Sequence, residues 1–138
     1  MTPDQLFRIC NLVALAGWII LIFFRSWRWA LAFPPVFGIL YGTLIAMHFG
    51  ETPGGFGTLT GVASLFSNHW ILLAGWIHYL AFDLFTGSWE VRDAQEKGIN
   101  HLLIVPALVL TFMFGPAGLV LYLLTRSAAL RQGRALLL

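Results

Sequence analysis

Ionisable side chains interrupt one long apolar stretch of the sequence, residues 69–90, which reads HWILLAGWIHYLAFDLFTGSWE. The stretch is long and apolar enough to cross a bilayer, yet it contains His78 and Asp83 and ends on Trp89 and Glu90. Ionisable groups are expensive inside a membrane, and membrane proteins that keep them commonly use them for binding or proton transfer. We therefore expect this stretch to carry the chemistry of the protein.

A strip of polar and aromatic residues runs along one face of this predicted helix. Residues seven apart differ by only about 20° on a helix of 3.6 residues per turn. Tyr79 lies on the same side, four residues before Asp83. The opposite face carries His78, Phe82, Phe85 and Trp89. The strip itself, spaced by seven throughout, consists of His69, Trp76, Asp83 and Glu90.

Two carboxyl groups on one helix face can act as an acid and a base when one is held neutral beside an ionised one. Asp83 lies about five residues inside the polar end of the stretch, which places it about 7–8 Å below the headgroups at the helical rise. Burial without a nearby cation favours the neutral form of such a group. Glu90 lies at the polar end and is the candidate partner.

A polar cluster is expected at the mouth of this site, where the next helix begins. If the turn after the stretch is centred near Gln95, an antiparallel helix brings His101 level with Trp89 and Glu90. The expected cluster consists of Glu90, Arg92, Asp93 and His101, with Asp83 deeper in the bundle.

Three interpretations of these residues stay open. The first is acid/base catalysis or ligand binding. The second is structural: the mouth residues form an interfacial salt-bridge network, and Asp83 and His78 bond across helices, as is common in membrane bundles. The third is a metal site of His78, Asp83, Glu90 and His101, but His78 and Asp83 are about 140° apart around the helix. No HExxH or ExxH pattern is present, so the metal site is the least favoured of the three and we expect no metal ion.

The composition is that of a membrane protein. Of 138 residues, 59% are hydrophobic and 10% are charged, whereas about a quarter of the residues of a soluble domain are charged. The formal net charge is +2, and the Lys and Arg residues are scattered near the ends of apolar runs. A nucleic-acid partner is therefore not expected. Cys10 is the single cysteine and is expected to be a small buried or lipid-facing side chain.

Four apolar runs predict an all-α membrane protein, a four-transmembrane-helix bundle that forms a single domain. The first run is expected to be a retained transmembrane helix, because its apolar part exceeds the usual signal-peptide core of about 7–15 residues. The fourth span is expected to be kinked, because Pro106 and the Gly115-Pro116 pair interrupt it. The spans are predicted at about residues 6–24, 30–48, 70–88 and 99–124.

Glycines mark two further features. Gly38 and Gly42 form a GxxxG pair in the second span, which allows another helix to approach closely and a homo-oligomer to form. The glycine-rich residues 49–68 lack the ending of a phosphate-binding loop. We expect this segment to be a lid over the bundle, a short amphipathic interfacial helix or a loop. Its expected helical face comprises Leu59, Val62, Ala63 and Phe66.

The basic residues do not indicate how a four-span protein is oriented in the membrane. Four spans place Arg8 and the three arginines of the tail on one side. The other side then carries Arg25, Arg28, Arg92 and Lys97. The count is four against four, so the excess of positive charge that marks cytoplasmic loops is absent.

The second half of the chain resembles the abscisic-acid-deficient-four-like family of small multi-pass membrane proteins. The resemblance rests on NHWILLAGWIHYLAFDLFTGSWEVRDA, which begins at Asn68, and on GINHLLIVPALVLTFMFGPAGLVLYLL, which begins at Gly98. It is strong over residues 66–124 and extends to the first two spans only in general character. The plant member of the family is associated with neoxanthin synthesis, and GWIHYLAFDLF and WEVRD carry the family signature.

The resemblance implies an isomerisation in which a carotenoid epoxide opens to an allene-bearing alcohol, without a redox cofactor. One proton must be delivered to the epoxide oxygen and another removed from a polyene carbon. From the helix faces we assign Asp83 as the acid and Glu90 or His101 as the base, with His78 and Asp93 as further catalytic candidates. The candidate substrate-binding residues are Trp76, Tyr79, Phe82, Trp89 and Arg92.

The expected partners are membrane lipids and an apolar isoprenoid ligand. A bacterial inner membrane is the expected location, because the chain resembles family members that have no plastid transit segment. A second hypothesis is non-enzymatic, and makes the protein a factor that binds a lipid or pigment or assists the assembly of another membrane protein.

Overall fold

The computed structural model of the protein describes residues 1–51 and 53–135, with side chains as far as Arg131. Within these residues the chain is helical and contains no β-strand. A π-helical turn, Ile20–Phe24, continues the first helix, and a 3₁₀ turn, Phe49–Glu51, continues the third. The α-helices are α1 Pro3–Ile19, α2 Trp27–Ala30, α3 Phe33–His48, α4 Leu59–Leu65, α5 His69–Glu96, α6 His101–Phe114 and α7 Pro116–Ala135.

Polar residues fix where the main helices begin. Thr2 caps α1 and forms a reciprocal capping box with Gln5. Asn68 caps α5, where its Oδ1 accepts a hydrogen bond from the Trp70 amide at 2.9 Å. Asn100 caps α6 in the same way, with the Leu102 amide as donor at 3.0 Å. Each cap satisfies an amide that has no partner inside its own helix.

Three helical segments of the described chain are long and apolar enough to cross a membrane. Many large apolar side chains on them face outward, as Phe23 and Ile39 do. Outward apolar surface of this extent suggests membrane association. The segments are Pro3–Phe24, Trp27–Glu51 and His69–Glu96, and they match the first three predicted spans.

The predicted fourth span is two helices and not one kinked helix. The helix α6 continues through Pro106 but ends at Gly115, whose φ of 39° and ψ of −95° are not helical. α6 has 14 residues, about 21 Å at the helical rise, which is shorter than a hydrocarbon core of about 30 Å. The predicted interruption at Gly115 is present, but it ends the helix instead of kinking it.

α6 and α7 form an antiparallel hairpin that packs against α5. Its tip meets the middle of α5, because the Tyr79 hydroxyl donates to the Met113 carbonyl at 2.9 Å. Further along α7, Arg126 binds Asp93 near the end of α5 at 2.7 Å. α7 therefore runs parallel to α5, and α6 runs antiparallel to it. At the tip, a Cβ on Gly118 would overlap the backbone of Thr111, so glycine permits the close approach of the two arms.

α5 is the central helix, with α1 and α3 on its other sides. Gly87 of α5 lies against the ring of Trp18, where an added Cβ would come within 2.6 Å of a ring carbon. α3 runs antiparallel to α5, because His48 at its end stacks on Trp70 at the start of α5, with ring centroids 5.0 Å apart. Cys10 is buried in the resulting core, as expected.

Among its described residues, the glycine-rich segment before α5 contains one short α-helix, α4. Leu59 is 86% exposed, whereas Leu65, which is not on the predicted apolar face, is 2% exposed and packs against the protein. A lid held by Leu59 is therefore not formed, and contact of that face with the membrane surface stays a prediction. Phe66, just after α4, lies against Gly75 of α5. Residue 52, within this segment, and residues 136–138 lie outside the described residues.

Gly38 and Gly42 have no close neighbour in the described part of the chain, although Gly38 lines a shallow apolar cavity beside Phe82 and Phe85 of α5. A Cβ added at either position meets no atom within 4 Å among the described residues. The predicted close helix contact is therefore not made inside this chain, and the predicted homo-oligomer stays a prediction.

Candidate functional site

Asp83 lies at the middle of the central helix. α5 has 28 residues and Asp83 is the fifteenth. The helix continues to Glu96, beyond the predicted end of the span at residue 88. The expected depth of Asp83 below the headgroups stays a prediction. The side chain is 8% exposed and points at the tip of the hairpin.

The break at Gly115 makes room for the Asp83 carboxyl group. A Cβ built on Gly115 would stand 2.5 Å from Asp83 Oδ1. The other oxygen, Oδ2, is buried and has no hydrogen-bond partner among the described residues. The nearby Tyr79 hydroxyl has a single hydrogen, which it donates to Met113. A buried polar atom without a partner is uncommon in proteins and is a recognised feature of catalytic and ligand-binding groups.

Glu90 lies two turns beyond Asp83 on the same face of α5 and is fully buried. Its carboxyl group accepts a hydrogen bond from the Thr111 hydroxyl, which is 3.0 Å from one oxygen and 3.2 Å from the other. Thr111 is itself buried on α6. Both carboxyl groups of the predicted pair therefore face the α6–α7 hairpin.

Asp93 anchors α7 to α5. Its Oδ2 accepts hydrogen bonds from the Tyr122 hydroxyl at 2.6 Å and from Arg126 Nε at 2.7 Å. Its Oδ1 forms an ion pair with Lys97. Both oxygens are thus occupied by cations or donors of the protein, which is the arrangement of a structural carboxylate and not of a free acid or base.

The expected single cluster of Glu90, Arg92, Asp93 and His101 is not formed. His101 lies against the π-helical turn that follows α1, where its Nε2 is 2.9 Å from the Ile22 carbonyl, so Nε2 carries the hydrogen and donates. Arg92 is exposed, pairs with Glu96 at 2.7 Å and lies over the ring of Trp27 at 5.2 Å. Glu90 and Asp93 are bound by the two arms of the hairpin instead, so the four residues have partners on different elements.

His78 and Phe82 lie on the α3 side of α5, away from the carboxyl groups. The His78 ring contacts Phe82 and Tyr41, with centroids 4.7 Å and 5.4 Å away. Trp89 meets the ring of Tyr122 edge-on at 5.5 Å. Within the described residues no three His, Cys, Asp or Glu side chains come together as metal ligands. His78 therefore does not join the other residues of the alternative metal site.

Two open apolar grooves flank Trp76 and Tyr79 between α1 and α5. Trp76 donates from Nε1 to Asn11 Oδ1 at 2.8 Å, and its ring contacts Tyr79 with centroids 5.3 Å apart. The first groove has a volume of about 580 Å³ and its lining includes Phe7, Phe66, Leu72, Trp76 and Tyr79. The second has a volume of about 640 Å³ and its lining includes Asn11, Leu15, Trp76, Tyr79, Phe112 and Met113.

The second groove ends beside the space at Gly115 that holds the Asp83 carboxyl group, which we call the Asp83 pocket. Tyr79 and Met113 line this groove and are hydrogen-bonded to each other. Asp83 is four residues after Tyr79 on the same face, and Gly115, which it contacts, is two residues after Met113. The Tyr79–Met113 hydrogen bond thus separates the groove from a buried carboxyl group.

Several residues of this site come from helices other than α5 and were missed by the sequence analysis. Thr111, Met113 and Gly115 are supplied by the hairpin, and Phe7 and Asn11 by α1. The Gly115-Pro116 pair was the available signal, because a glycine followed by a proline in an apolar helix marks a turn.

Comparison with known proteins agrees with the resemblance. A family model described as ABA DEFICIENT 4-like matches residues 5–122. The chain is 32% identical over 69 residues to "Protein ABA DEFICIENT 4, chloroplastic" of Arabidopsis thaliana, a match that covers 50% of this chain and 30% of that protein. No solved structure matches the chain.

The chloroplastic relative does not support the predicted bacterial inner membrane, although the apolar helices suggest membrane association. The matched segment spans less than a third of the relative's length. The family model, in contrast, covers most of this chain. The chain belongs to the ABA DEFICIENT 4-like family.

Proposed function

We propose that the protein isomerises a carotenoid or another isoprenoid lipid inside the bilayer by acid/base chemistry. The observation that carries the proposal is the Asp83 carboxyl group, which is buried at mid-helix, has an oxygen without a partner among the described residues and lies beside an apolar groove. A carboxyl group that makes few bonds to the protein is available to a ligand. An apolar groove that opens sideways to lipid suits a substrate that does not leave the membrane.

In this scheme Asp83 is the acid and Glu90 the base. Asp83 gives its proton to the oxygen of an epoxide, and the carbon–oxygen bond opens to an alcohol. Loss of a proton from an adjacent polyene carbon to Glu90 then forms the new double bond of an allene. The product has the same atoms as the substrate, so no oxidant or reductant is consumed.

Glu90 is favoured over His101 as the base because of where each lies. Glu90 and Asp83 face the same hairpin from the same side of α5. His101 lies against the π-helical turn after α1 and donates its ring N–H to the Ile22 carbonyl. Asp93, with both oxygens held, has no part in the scheme.

Trp76 and Tyr79 are the substrate-binding residues of the proposal, because they line both grooves. The hydroxyl of Tyr79 must leave Met113 or turn aside for an epoxide to reach Asp83. Phe82, Trp89 and Arg92 lie on other sides of α5, so the scheme assigns them no contact with a ligand in these grooves.

A comparison of lipid extracts tests this proposal. Carotenoid-producing cells with and without the protein are extracted, and their carotenoid and polyprenyl lipids are separated by chromatography and weighed by mass spectrometry. We expect a new isomer, of unchanged mass, that is lost in Asp83→Asn and kept in Glu96→Gln, an exposed carboxyl variant of the same helix. Identical lipid profiles with and without the protein would refute catalysis.

The non-enzymatic alternative has one observation in its favour: neither groove is lined by Asp83 itself. A pigment bound in the grooves would then contact mainly aromatic and aliphatic side chains, and not the Asp83 carboxyl group. Under that alternative the protein co-purifies with a polyene, Trp76→Leu weakens the binding, and Asp83→Asn leaves both the pigment and its chemical form unchanged.

A further inference from the structure

One end of the helix bundle collects most of the basic residues of the chain. The Arg25 carbonyl accepts a hydrogen bond from Gln95 Nε2 at 2.6 Å, which brings the end of the first span to the end of α5. Arg92, near the same end of α5, lies over the ring of Trp27 at the start of the second span. We call this end, with the loops 25–26 and 97–100, the basic end.

The hairpin brings the arginines of the tail to the same end. Because α7 runs parallel to α5, Arg126 reaches Asp93 and pairs with it. Arg131 follows five residues later on α7, about 7.5 Å further out at the helical rise. The described basic side chains at this end are Arg25, Arg28, Arg92, Lys97, Arg126 and Arg131.

The opposite end carries few basic groups. It is formed by the start of α1, the end of α3 and the start of α5, as the stacking of His48 on Trp70 shows. Of the Lys and Arg side chains that the structure describes, Arg8 alone belongs to this half of the bundle. Asp4, at the start of α1, and Glu51, just after α3, are acidic residues of the same end. The predicted equal division of Lys and Arg between the two sides is therefore wrong for this fold. That division assumed that residues 99–124 cross the membrane as one helix, whereas they form a hairpin.

We infer that the basic end lies on the cytoplasmic side of the membrane, or on the corresponding side of an organelle membrane, against the anionic headgroups of that leaflet. An excess of Lys and Arg in short loops sets orientation, and acidic residues contribute little to it. Trp27 and Trp29 stand at this end, where amphipathic rings prefer the headgroup region. The inference uses only the fold and the charges, so it is independent of the proposed function.

Thiol labelling of the protein, expressed in the inner membrane of bacterial cells, tests the orientation. Glu96→Cys puts a thiol at the basic end, and Gly57→Cys puts one in the opposite loop, where an added Cβ meets nothing within 4 Å. Cys10 is 3% exposed and serves as the background in the parent protein. Each variant is treated with a membrane-impermeant maleimide in intact spheroplasts, in inverted vesicles and, to measure the total reactive thiol, in detergent.

We expect Glu96→Cys to react in inverted vesicles and stay protected in spheroplasts, and Gly57→Cys to show the reverse. The inference is overturned by the opposite pattern, or by equal labelling of either thiol from both sides.

The headgroup contact is tested separately in nanodiscs. The parent protein should unfold at a higher temperature in phosphatidylglycerol than in phosphatidylcholine at low salt, because a negative surface attracts basic groups near a membrane. An Arg28→Gln and Arg131→Gln double variant should lose most of that difference. Equal unfolding temperatures of the parent in the two lipids would refute the contact with anionic headgroups, while the labelling result would still decide the orientation.

Discussion

Replacement of Gly115 by alanine tests whether the hairpin tip shapes the Asp83 pocket. Gly115 has a positive φ of 39°, and a Cβ there would stand 2.5 Å from the Asp83 carboxyl oxygen. Gly98 is a matched control, because its φ is also positive, at 65°, but a Cβ there meets nothing within 4 Å. Gly98→Ala therefore adds backbone strain alone. Gly115→Ala adds a collision and a larger strain, because its ψ of −95° lies outside the left-handed helical region.

The two costs can be estimated separately. A left-handed conformation costs a residue with a side chain about 1–2 kcal/mol, and an extra methyl group in a packed site costs about 1–3 kcal/mol more. Gly98→Ala should lower the free energy of unfolding by the first amount. Gly115→Ala should lower it by at least the sum, about 2–5 kcal/mol, because its backbone conformation is less accessible to alanine than the left-handed one. It should also displace Asp83 and reduce isomer formation, which Gly98→Ala should leave intact.

Unfolding in mixed micelles, titrated with dodecyl sulfate and followed by circular dichroism, measures both variants. Combining Gly115→Ala with Asp83→Ala should remove the collision, so the two substitutions should not be additive. If Gly115→Ala and Gly98→Ala cost the same, or if Gly115→Ala costs the same with and without the Asp83 side chain, then Gly115 does not shape the pocket.

Two further predictions concern the bonds that hold the hairpin on α5. Thr111→Val removes the hydroxyl that binds the buried Glu90 carboxyl group. It should lower the free energy of unfolding by about 0.6–1.7 kcal/mol, the range from the average to the largest cross-helix hydrogen bond in membranes; an unchanged value would contradict a stabilising role of this bond. Asp93→Asn weakens the contact with Arg126 and should cost about 1–3 kcal/mol, because that pair is partly exposed. Glu96→Gln, whose ion pair is exposed, should cost less than about 0.5 kcal/mol in the same titration, and equal costs for the two variants would contradict the anchoring role.

The sequence was sufficient to identify the central helix and its polar face. Spacing by seven put Asp83 and Glu90 on one side of α5, and both do face the same hairpin. The apolar runs gave the first three spans because hydrophobic length is a local property that needs no knowledge of neighbours. The family resemblance, which rested on the same residues, is confirmed.

The partners of these residues could not be read in the same way. Helical spacing says which side chains share a face but not which helix covers it. Whether Gly115 kinks a helix or reverses it depends on the packing of Thr111 against Gly118, a contact within the folded hairpin. That reversal sends Arg126 to Asp93 and gives Thr111 to Glu90. The predicted mouth cluster was wrong for this reason.

The grooves depend on a contact between distant parts of the chain. Trp76 and Tyr79 were selected as lining residues from α5 alone, and both do line the grooves. Phe82 was selected by the same reasoning but faces α3, near His78. The helix that completes the grooves is α1, whose Asn11 accepts a hydrogen bond from Trp76 of α5. Nothing in the local pattern of either helix indicates that pairing.

The most direct test of the acid/base proposal is turnover by the purified protein in liposomes. Parent, Asp83→Asn and Glu96→Gln proteins are supplied with an epoxy-carotenoid, and both the bound pigment and the isomer formed are measured by chromatography. The proposal predicts that all three bind the pigment equally and that Asp83→Asn alone forms isomer at least about a hundredfold more slowly, the usual contribution of a general acid. Isomer formation by Asp83→Asn at the rate of the parent protein would contradict it.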